Sequence, residues 1–225
     1  MSLLALRFRL WWHSKRHLDA RLQQLVASPI PNQRTPFNKL EFVSLDIETT
    51  GLDPATADML SVGWVVVRDG RVDLQTAESH IVRPTGEVGS SASVHGLTDT
   101  MVESGSDWSI VLGKIIEVLA GRVLLVHHAG LDKALLDRLC RQRFAAPLLI
   151  PVVDTLALER RRHERRHHVD ENKSFRLSNL RDGYGLPRYA AHDCLVDAIA
   201  TAELLIAMVA HNDGRTKTCL HDLCN

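Results

Sequence analysis

The sequence predicts an α/β domain built on a mixed five-stranded sheet flanked by helices. Three observations support this fold class: short apolar segments typical of strands, an Asp-Gly turn between two of them, and helical spacing between the later ones. With 225 residues and 45% hydrophobic residues, the chain can bury the core of one ordinary domain. This composition excludes a disordered or fibrous protein.

The predicted elements follow in the order βββαβαβααα, with a further helix before them. The strands are expected at residues 42–47, 59–68, 72–82, 122–127 and 148–153. Asp69-Gly70 suits the positive φ angles of a hairpin turn, so the first three strands are expected to form an antiparallel meander. The helices are expected at residues 108–119, 131–143, 154–166, 177–184 and 193–210.

The N-terminal segment predicts a basic amphipathic helix. Apolar side chains and one lysine recur at steps of four and three residues: Leu4, Phe8, Trp11, Lys15, Leu18, Leu22 and Leu25. Residues 1–40 contain seven lysines and arginines but only one acidic residue, Asp19. Such a helix could dock on its own domain, on a partner protein or on an anionic membrane surface, and we expect docking on protein.

Composition also limits the function and the location. Lys+Arg and Asp+Glu both number 27, so nucleic acid would need a local basic patch. Four cysteines without CxxC spacing favour the reducing cytoplasm. No transmembrane segment is expected, because charged residues interrupt the apolar runs. We expect a helix and linker over residues 1–40, one domain over 41–211 and a short, frayed polar tail over 212–225.

Acidic residues fall where the predicted strands and helices meet. Asp46 and Glu48 end the first strand two residues apart, so their side chains leave the same face just before Gly51. Asp132 opens a helix, and Asp197 lies near the start of the last helix. An isolated acidic pair would be expected by chance, but four carboxylates contributed by one strand and two separate helices could converge on a divalent cation, which takes oxygen ligands.

These motifs resemble those of the DEDDh family of 3′→5′ exonucleases, which includes the proofreading epsilon subunit of bacterial DNA polymerase III. Residues 42–53 resemble its first motif and residues 126–132 its second, while His192, five residues before Asp197, is similar to its third. Residues 94–98 resemble a segment between the first two. The resemblance implies a ribonuclease H-like fold over about residues 41–210. His128 stands where the family commonly has asparagine, and Leu131 where phenylalanine is frequent.

The resemblance also implies roles for individual residues. Asp46, Glu48 and Asp197 would bind metal directly, and Asp132 would support a second ion, partly through water. Two Mg²⁺ or Mn²⁺ ions about 3.5–4 Å apart would activate the attacking water and stabilise the leaving 3′ oxygen. His192 is the expected general base, since imidazole titrates near neutrality. The candidate substrate-binding residues are Thr49, Thr50, Gly51, Leu52, His95 and His128.

Three functions fit these motifs. The first is a 3′→5′ exonuclease that hydrolyses 3′ ends of single-stranded DNA to nucleoside 5′-monophosphates in proofreading or repair, alone or as a polymerase subunit recruited through the N-terminal helix. The second is an exoribonuclease that trims RNA 3′ ends. The third is a non-catalytic, polymerase-associated scaffold, which the intact acidic set opposes.

Two further groups of residues permit both a functional and a structural interpretation. The arginine-rich residues 159–168 fit a solvated helix face as well as a contact with the phosphate backbone. His127 and His128 could contact phosphate, but paired histidines at a strand end are as often structural.

Overall fold

A mixed sheet of six strands lies at the centre of the computed structural model, which describes residues 5–6, 9, 18–84, 99–165, 174–190, 193–212 and 218–224. The strands are β1 (Phe42–Thr49), β2 (Met59–Arg68), β3 (Arg71–Arg83), β4 (Ser106–Asp107), β5 (Val123–Val126) and β6 (Val152–Asp154). Their order across the sheet is β4-β3-β2-β1-β5-β6. β2 pairs antiparallel with β1 and β3, whereas the β1–β5, β5–β6 and β3–β4 pairs are parallel. The mixed α/β sheet is therefore confirmed.

Helices cover both faces of this sheet. They are α1 (Ala20–Ala27), α2 (Asp99–Glu103), α3 (Trp108–Leu119), α4 (Asp132–Phe144), α5 (Thr155–Arg165), α6 (Leu177–Gly183), α7 (Cys194–Asn212) and α8 (Leu220–Cys224). One buried cluster joins α1, α3 and α4 to one face of the sheet, and a second joins α7 and α8 to the other face. Strand alternation in β1 sends Val43, Leu45 and Ile47 into the first cluster and leaves the side chains between them for the opposite face.

The sheet has one strand more than the five predicted. β4 consists of two residues, which pair with Val82 and Arg83 at the end of β3, and two residues cannot show an alternating pattern in the sequence. The last strand also begins later than expected, at Val152. Pro151 precedes it and has no N–H to donate, although its carbonyl accepts the Leu124 N–H at 3.0 Å.

The N-terminal segment is not the single helix that its periodicity predicts. α1 begins at Ala20 because the Asp19 carboxylate accepts the Arg21 N–H at 3.0 Å, with Asp19 itself in a non-helical conformation. Leu22 and Leu25 are buried in the cluster that includes α3. α1 therefore docks on its own domain, while residues 10–17 lie outside the described part of the chain.

The C-terminal residues also pack on the domain. Residues 218–224 fall in the tail that was expected to fray, but Leu220 and Leu223 are buried and Cys219 forms a β-bridge with Pro36. The expectation of a frayed tail is therefore wrong for these residues, because two apolar side chains anchor them.

Helix α7 is long and apolar enough to cross a membrane if only its length and composition are considered. Half of its apolar window is buried inside the protein, however, and its buried side chains belong to the second core cluster. We interpret α7 as a core helix.

The substitution Leu22→Ala tests whether α1 belongs to the cooperative core. The Leu22 side chain is only 1% exposed, so we expect the free energy of unfolding to fall by about 2–5 kcal/mol because the substitution leaves a cavity. Urea unfolding followed by circular dichroism measures the change. Leu74→Ala is the control, since Leu74 is 63% exposed on β3 and should change stability by less than about 0.5 kcal/mol. Equally small effects would show that α1 contributes nothing to the core.

Candidate active site

Three of the predicted carboxylates meet at the carboxyl end of β1. One oxygen from each of Asp46, Glu48 and Asp197 lies within 4.8 Å of the other two. Asp46 and Glu48 are alternate residues of β1, and Asp197 is in the first turn of α7. Glu48 is buried, whereas Asp46 and Asp197 are partly exposed. The cluster therefore has a rigid, buried base and an open side.

A glycine on the neighbouring strand allows α7 to reach Asp46. Gly63 is paired with Asp46 across β1 and β2, and a Cβ atom on Gly63 would lie 2.6 Å from the carbonyl carbon of Cys194. Real Cβ atoms do not approach backbone this closely, so only glycine permits the contact. Ser44 fixes the next turn of the helix by donating its hydroxyl to the Ala198 carbonyl at 2.7 Å.

Asp193 orients the first turn of α7. Its carboxylate accepts the N–H groups of Leu195 and Val196 at 3.0 and 3.1 Å, and its carbonyl accepts the Asp197 N–H at 2.8 Å. This arrangement is an N-terminal cap. An aspartate just before an apolar helix is a recognisable capping signal, and it was not used in the sequence analysis.

Asp132 lies beside the three-carboxylate cluster and is not one of its members. It is the first residue of α4 and is 4% exposed. Burial raises the pKa of Asp132 to about 8, and the negative charges of Asp154 and Glu48 add to this effect. Its charge is in turn the largest influence, after burial, on the pKa of Asp46.

Asp154 is a further carboxylate, which the sequence analysis placed at the start of a helix. It ends β6, and one of its oxygens accepts the Ala129 N–H at 3.0 Å, which holds the loop before Asp132. The other oxygen accepts the N–H groups of Leu156 and Ala157 at 2.9 and 3.1 Å and so caps α5.

The charge balance of the cluster fits a divalent cation. The pKa of Asp46 is raised well above its ordinary value by burial first, and then by repulsion from Asp132, Glu48, Asp197 and Asp193. Each of the charged groups acting most strongly on Asp46 is thus another carboxylate. A hard cation prefers such oxygen ligands and would remove the repulsion between them.

The turn after β1 is held by its own threonines. The Thr49 hydroxyl donates to the Gly51 carbonyl at 2.7 Å, and the Thr50 hydroxyl accepts the Asp58 N–H at 2.9 Å. Leu52 follows Gly51 in the same turn, and its side chain is 88% exposed. The turn therefore presents an apolar side chain to solvent on a fixed backbone.

Arg138 ties this turn to α4. Its Nε donates to the Pro54 carbonyl at 2.9 Å, and its Nη2 donates to the Ala57 carbonyl. Because Arg138 and Asp132 belong to the same helix, α4 both positions the fourth carboxylate and holds the turn after β1. The sequence analysis did not single out Arg138, since the contact joins segments about eighty residues apart.

The histidines of the second motif have different environments. His127 lies 2.8 Å from the Thr155 hydroxyl through Nδ1 and 3.0 Å from the Phe175 carbonyl through Nε2. Burial lowers the pKa of His127, and both of its ring nitrogens are engaged within the domain. His128 is exposed. His95 and His192 lie outside the described residues.

An ion pair between the buried Arg181 and the partly exposed Glu203 anchors the segment that leads towards His192. Arg181 is 3% exposed and donates to the Pro187 carbonyl and to Glu203, both at 2.9 Å. Glu203 also accepts the Tyr189 hydroxyl at 3.0 Å. These contacts fix residues 187–189. An arginine in a short polar helix gives no sequence signal for such burial.

A cleft of about 930 Å³ opens beside the carboxylates, and Asp197 forms part of its wall. The rest of the lining comes from the second-motif histidines, α5, α6 with the segments on either side of it, and α7: His127, His128, Leu156, Arg160, Phe175, Arg176, Leu177, Ser178, Asn179, Arg181, Asp182, Arg188, Tyr189 and Ala200. Arg160 belongs to the arginine-rich segment, of which residues 166–168 lie outside the described chain.

Comparison with known proteins points to one family. The RNase_T family model, described as an exonuclease, matches residues 43–205. The chain is 29% identical over 175 residues to a PolC-type DNA polymerase III of Thermotoga petrophila, covering 77% of this chain and 12% of that protein. It is 29% identical over 180 residues to a DNA polymerase III subunit epsilon-like protein of Rhodobacter capsulatus, covering 78% of this chain and 24% of that one. The chain therefore spans a minor part of either relative.

Solved structures show the same fold. A zinc-bound complex of E. coli exonuclease I with single-stranded DNA superposes with a TM-score of 0.67 at 18% identity, covering 81% of this chain and 42% of that one. The complex of the same enzyme with a dA16 oligonucleotide gives a TM-score of 0.68, also at 18% identity and with the same coverage of both chains. The ribonuclease H-like fold expected from the motifs is therefore confirmed.

The substitution Gly63→Ala should disturb α7 and the cluster together. The added methyl group would clash with helix backbone, so we expect a loss of about 1–3 kcal/mol in the free energy of unfolding and weaker binding of Mn²⁺. Denaturant unfolding and calorimetric titration measure the two effects. Gly183→Ala is the control, because a Cβ atom there meets nothing within 4 Å. Unchanged Mn²⁺ binding in Gly63→Ala would contradict this role.

The metal-free protein should lose stability as the pH rises. The folded chain holds a proton on Asp132 up to a pKa of about 8, whereas the unfolded chain releases it near the ordinary value of 3.8. Folding therefore becomes less favourable across this range. In EDTA, Asp132→Asn should raise the melting temperature at about pH 8.5 and change it much less at about pH 5. An equal change at both pH values would contradict the raised pKa.

Proposed function

Because the chain belongs to the RNase_T exonuclease family, we propose that it is a DEDDh-type, divalent-metal-dependent enzyme that removes nucleotides from the 3′ ends of single-stranded DNA. The observation that carries the proposal is the convergence of Asp46, Glu48 and Asp197 within 4.8 Å, with Asp132 beside them. Carboxylates gathered in this way fit phosphodiester hydrolysis, because they can hold the divalent cations that stabilise the negative charge developing on the reacting phosphate.

Asp46, Glu48 and Asp197 would hold the metal, and Asp132 would support a second ion. Two Mg²⁺ or Mn²⁺ ions supply an activated water and stabilise charge on the leaving 3′ oxygen when bound. The protein keeps the ligands in place before substrate arrives, since Gly63 and Ser44 hold α7 on the sheet. Such preorganisation is what positions reacting groups.

His192 is proposed as the general base that takes a proton from the attacking water. Imidazole can accept that proton near neutral pH and pass it to solvent. The anchoring of residues 187–189 by Arg181 and Glu203 supports this role, because a base must be held at a defined distance from the water.

The terminal nucleotide is proposed to bind at the turn after β1. A Cβ atom on Gly51 would meet nothing within 4 Å, so the fold itself leaves open space at this glycine. Leu52 offers an apolar surface for a base, and the threonine hydroxyls keep the backbone rigid. His95 and His128 are proposed to complete the binding surface, with His128 at the side of the cleft.

A role in proofreading or repair of DNA is supported by the relatives named as DNA polymerase III proteins. Recruitment to a polymerase through the N-terminal segment would have to use residues other than Leu22 and Leu25, which face the core of the domain. We propose a cytoplasmic location, which is supported by four cysteines that all carry free thiols.

Hydrolysis of matched DNA and RNA oligonucleotides, labelled at either end, tests the proposal. With Mg²⁺ or Mn²⁺ the chain should shorten single-stranded DNA stepwise from the 3′ end, and EDTA should stop the reaction. Asp46→Ala should abolish hydrolysis because it removes a ligand, and His192→Ala should slow it by about 10²–10⁴-fold.

The control is Asp69→Ala, which alters an aspartate in the β2–β3 turn and should retain full activity. Faster hydrolysis of RNA would replace the proposed substrate with RNA 3′ ends. A folded protein that cleaves neither strand with either metal would overturn the catalytic assignment and support a scaffold.

A further inference from the structure

We propose that the cleft beside Asp197 binds the nucleotides on the 5′ side of the scissile bond, through phosphate contacts to Arg160 and Arg176 and base stacking on Tyr189. This inference rests on the proposed function and extends it from the reacting phosphate to the rest of the strand. The cleft has a volume of about 930 Å³ and shares Asp197 with the carboxylate cluster.

The charges of the cleft are its first distinguishing feature. Four arginines line it, and two of them are already neutralised. Arg181 pairs with Glu203 at 2.9 Å, and Arg188 pairs with Asp182 through two hydrogen bonds. Arg160 and Arg176 are exposed, and neither forms an ion pair with any residue in the described ranges. As far as the described residues go, these two arginines keep their charge for a ligand.

Arginines that have no ion pair within the described part of the chain, on a concave wall, favour a phosphate ligand. A single strand carries one negative charge per nucleotide, and the planar guanidinium group matches phosphate oxygens in a fork geometry. The low-dielectric walls of a cleft also focus the electric field of charges of one sign, and this raises the local concentration of an oppositely charged ligand. The chain as a whole has a net charge of +0, so this local excess is what could attract a polyanion.

Aromatic surface accompanies the charges. Tyr189 is 44% exposed, while its ring lies over the Arg181 guanidinium at 4.5 Å and its hydroxyl is bound by Glu203. One face of the ring is therefore supported by the protein. The exposed surface of a ring held in this way is a platform on which a base can stack without regard to sequence.

The cleft walls are also fixed before a ligand binds. His127 holds the backbone of Phe175 at 3.0 Å, and the Arg160 guanidinium lies over the Phe175 ring at 5.5 Å. Arg181, which also lines the cleft, donates to the Pro187 carbonyl at 2.9 Å. Prior ordering lowers the entropy cost of binding.

The position of the cleft determines which part of the strand it receives. Asp197 lines the cleft, whereas the turn residues proposed to bind the terminal nucleotide do not. A strand whose last nucleotide lies at Leu52, with its scissile phosphate at the carboxylates, would therefore continue past Asp197 into the cleft. That continuation is the 5′ side of a substrate degraded from its 3′ end.

Binding of a fluorescent oligothymidylate of about 12 nucleotides tests the inference. Fluorescence anisotropy is measured with the full chain in Ca²⁺, and gel electrophoresis afterwards verifies that the strand is intact. The double variant Arg160→Gln/Arg176→Gln should bind at least about tenfold more weakly. Its plot of log K against log salt should be less steep by about 0.7 for each lost phosphate contact. The loss should be smaller for a dinucleotide.

Arg143→Gln is the matched control. Arg143 is an exposed arginine on α4 that lies over the Phe144 ring at 5.4 Å, much as Arg160 lies over Phe175, but it does not line the cleft. It should leave both the affinity and the salt dependence unchanged. If the double variant matches this control while the wild-type chain hydrolyses DNA, the cleft inference is wrong and the proposed function stands. If the wild-type chain neither binds nor cleaves a strand, both are wrong.

Substitutions of Tyr189 separate stacking from the support of the loop. Tyr189→Phe removes the hydrogen bond to Glu203 but keeps the ring, so it should retain most of the affinity for the longer strand. Tyr189→Leu removes the ring and should weaken binding of that strand severalfold. Equal affinities for the two variants would overturn the stacking contact.

Discussion

Repulsion among the acidic side chains at the end of β1 is the constraint that the rest of the structure must overcome. Burial and like charges raise the pKa of Asp46 and Asp132, which means that the ionised cluster is unfavourable without a cation. The apolar core supplies the opposing free energy, because β1 packs on both faces. Because the backbone at the start of α7 lies directly against Gly63, this packing also fixes the position of Asp197.

Around the cluster, single side chains form hydrogen bonds that hold more than one segment. Asp154 holds the loop before Asp132 and caps α5, and Arg138 connects the Asp132 helix to the turn that carries Leu52. Each hydrogen bond thus joins an acidic residue, or the helix that bears it, to a segment proposed to contact substrate. Placement of side chains on regular strands and capped helices is more precise than placement on loops alone, which suits chemistry that depends on short distances.

The sequence predicted what is encoded locally and missed what depends on distant contacts. Alternation and spacing located β1, β2, α3 and α7, and the acidic residues at their ends were identifiable from the motifs. Gly63 and Arg138 have no local signal, because their importance lies in backbone contacts with residues far along the chain. The prediction of one continuous N-terminal helix was wrong for a different reason. The apolar spacing continues through Asp19, but this aspartate is non-helical and caps a helix that begins at Ala20.

The cleft and the cluster have opposite charges, and this opposition couples them. Without a cation, Asp46, Glu48 and Asp197 would repel the same phosphate backbone that Arg160 and Arg176 are proposed to attract. Two bound divalent ions would bring four positive charges against the three carboxylates, so that the full path would become attractive to a polyanion. By thermodynamic linkage, a strand that spans both regions must then strengthen metal binding as much as metal strengthens binding of the strand. Under the proposed function, a protein of zero net charge would in this way bind nucleic acid at one place and in one metal state.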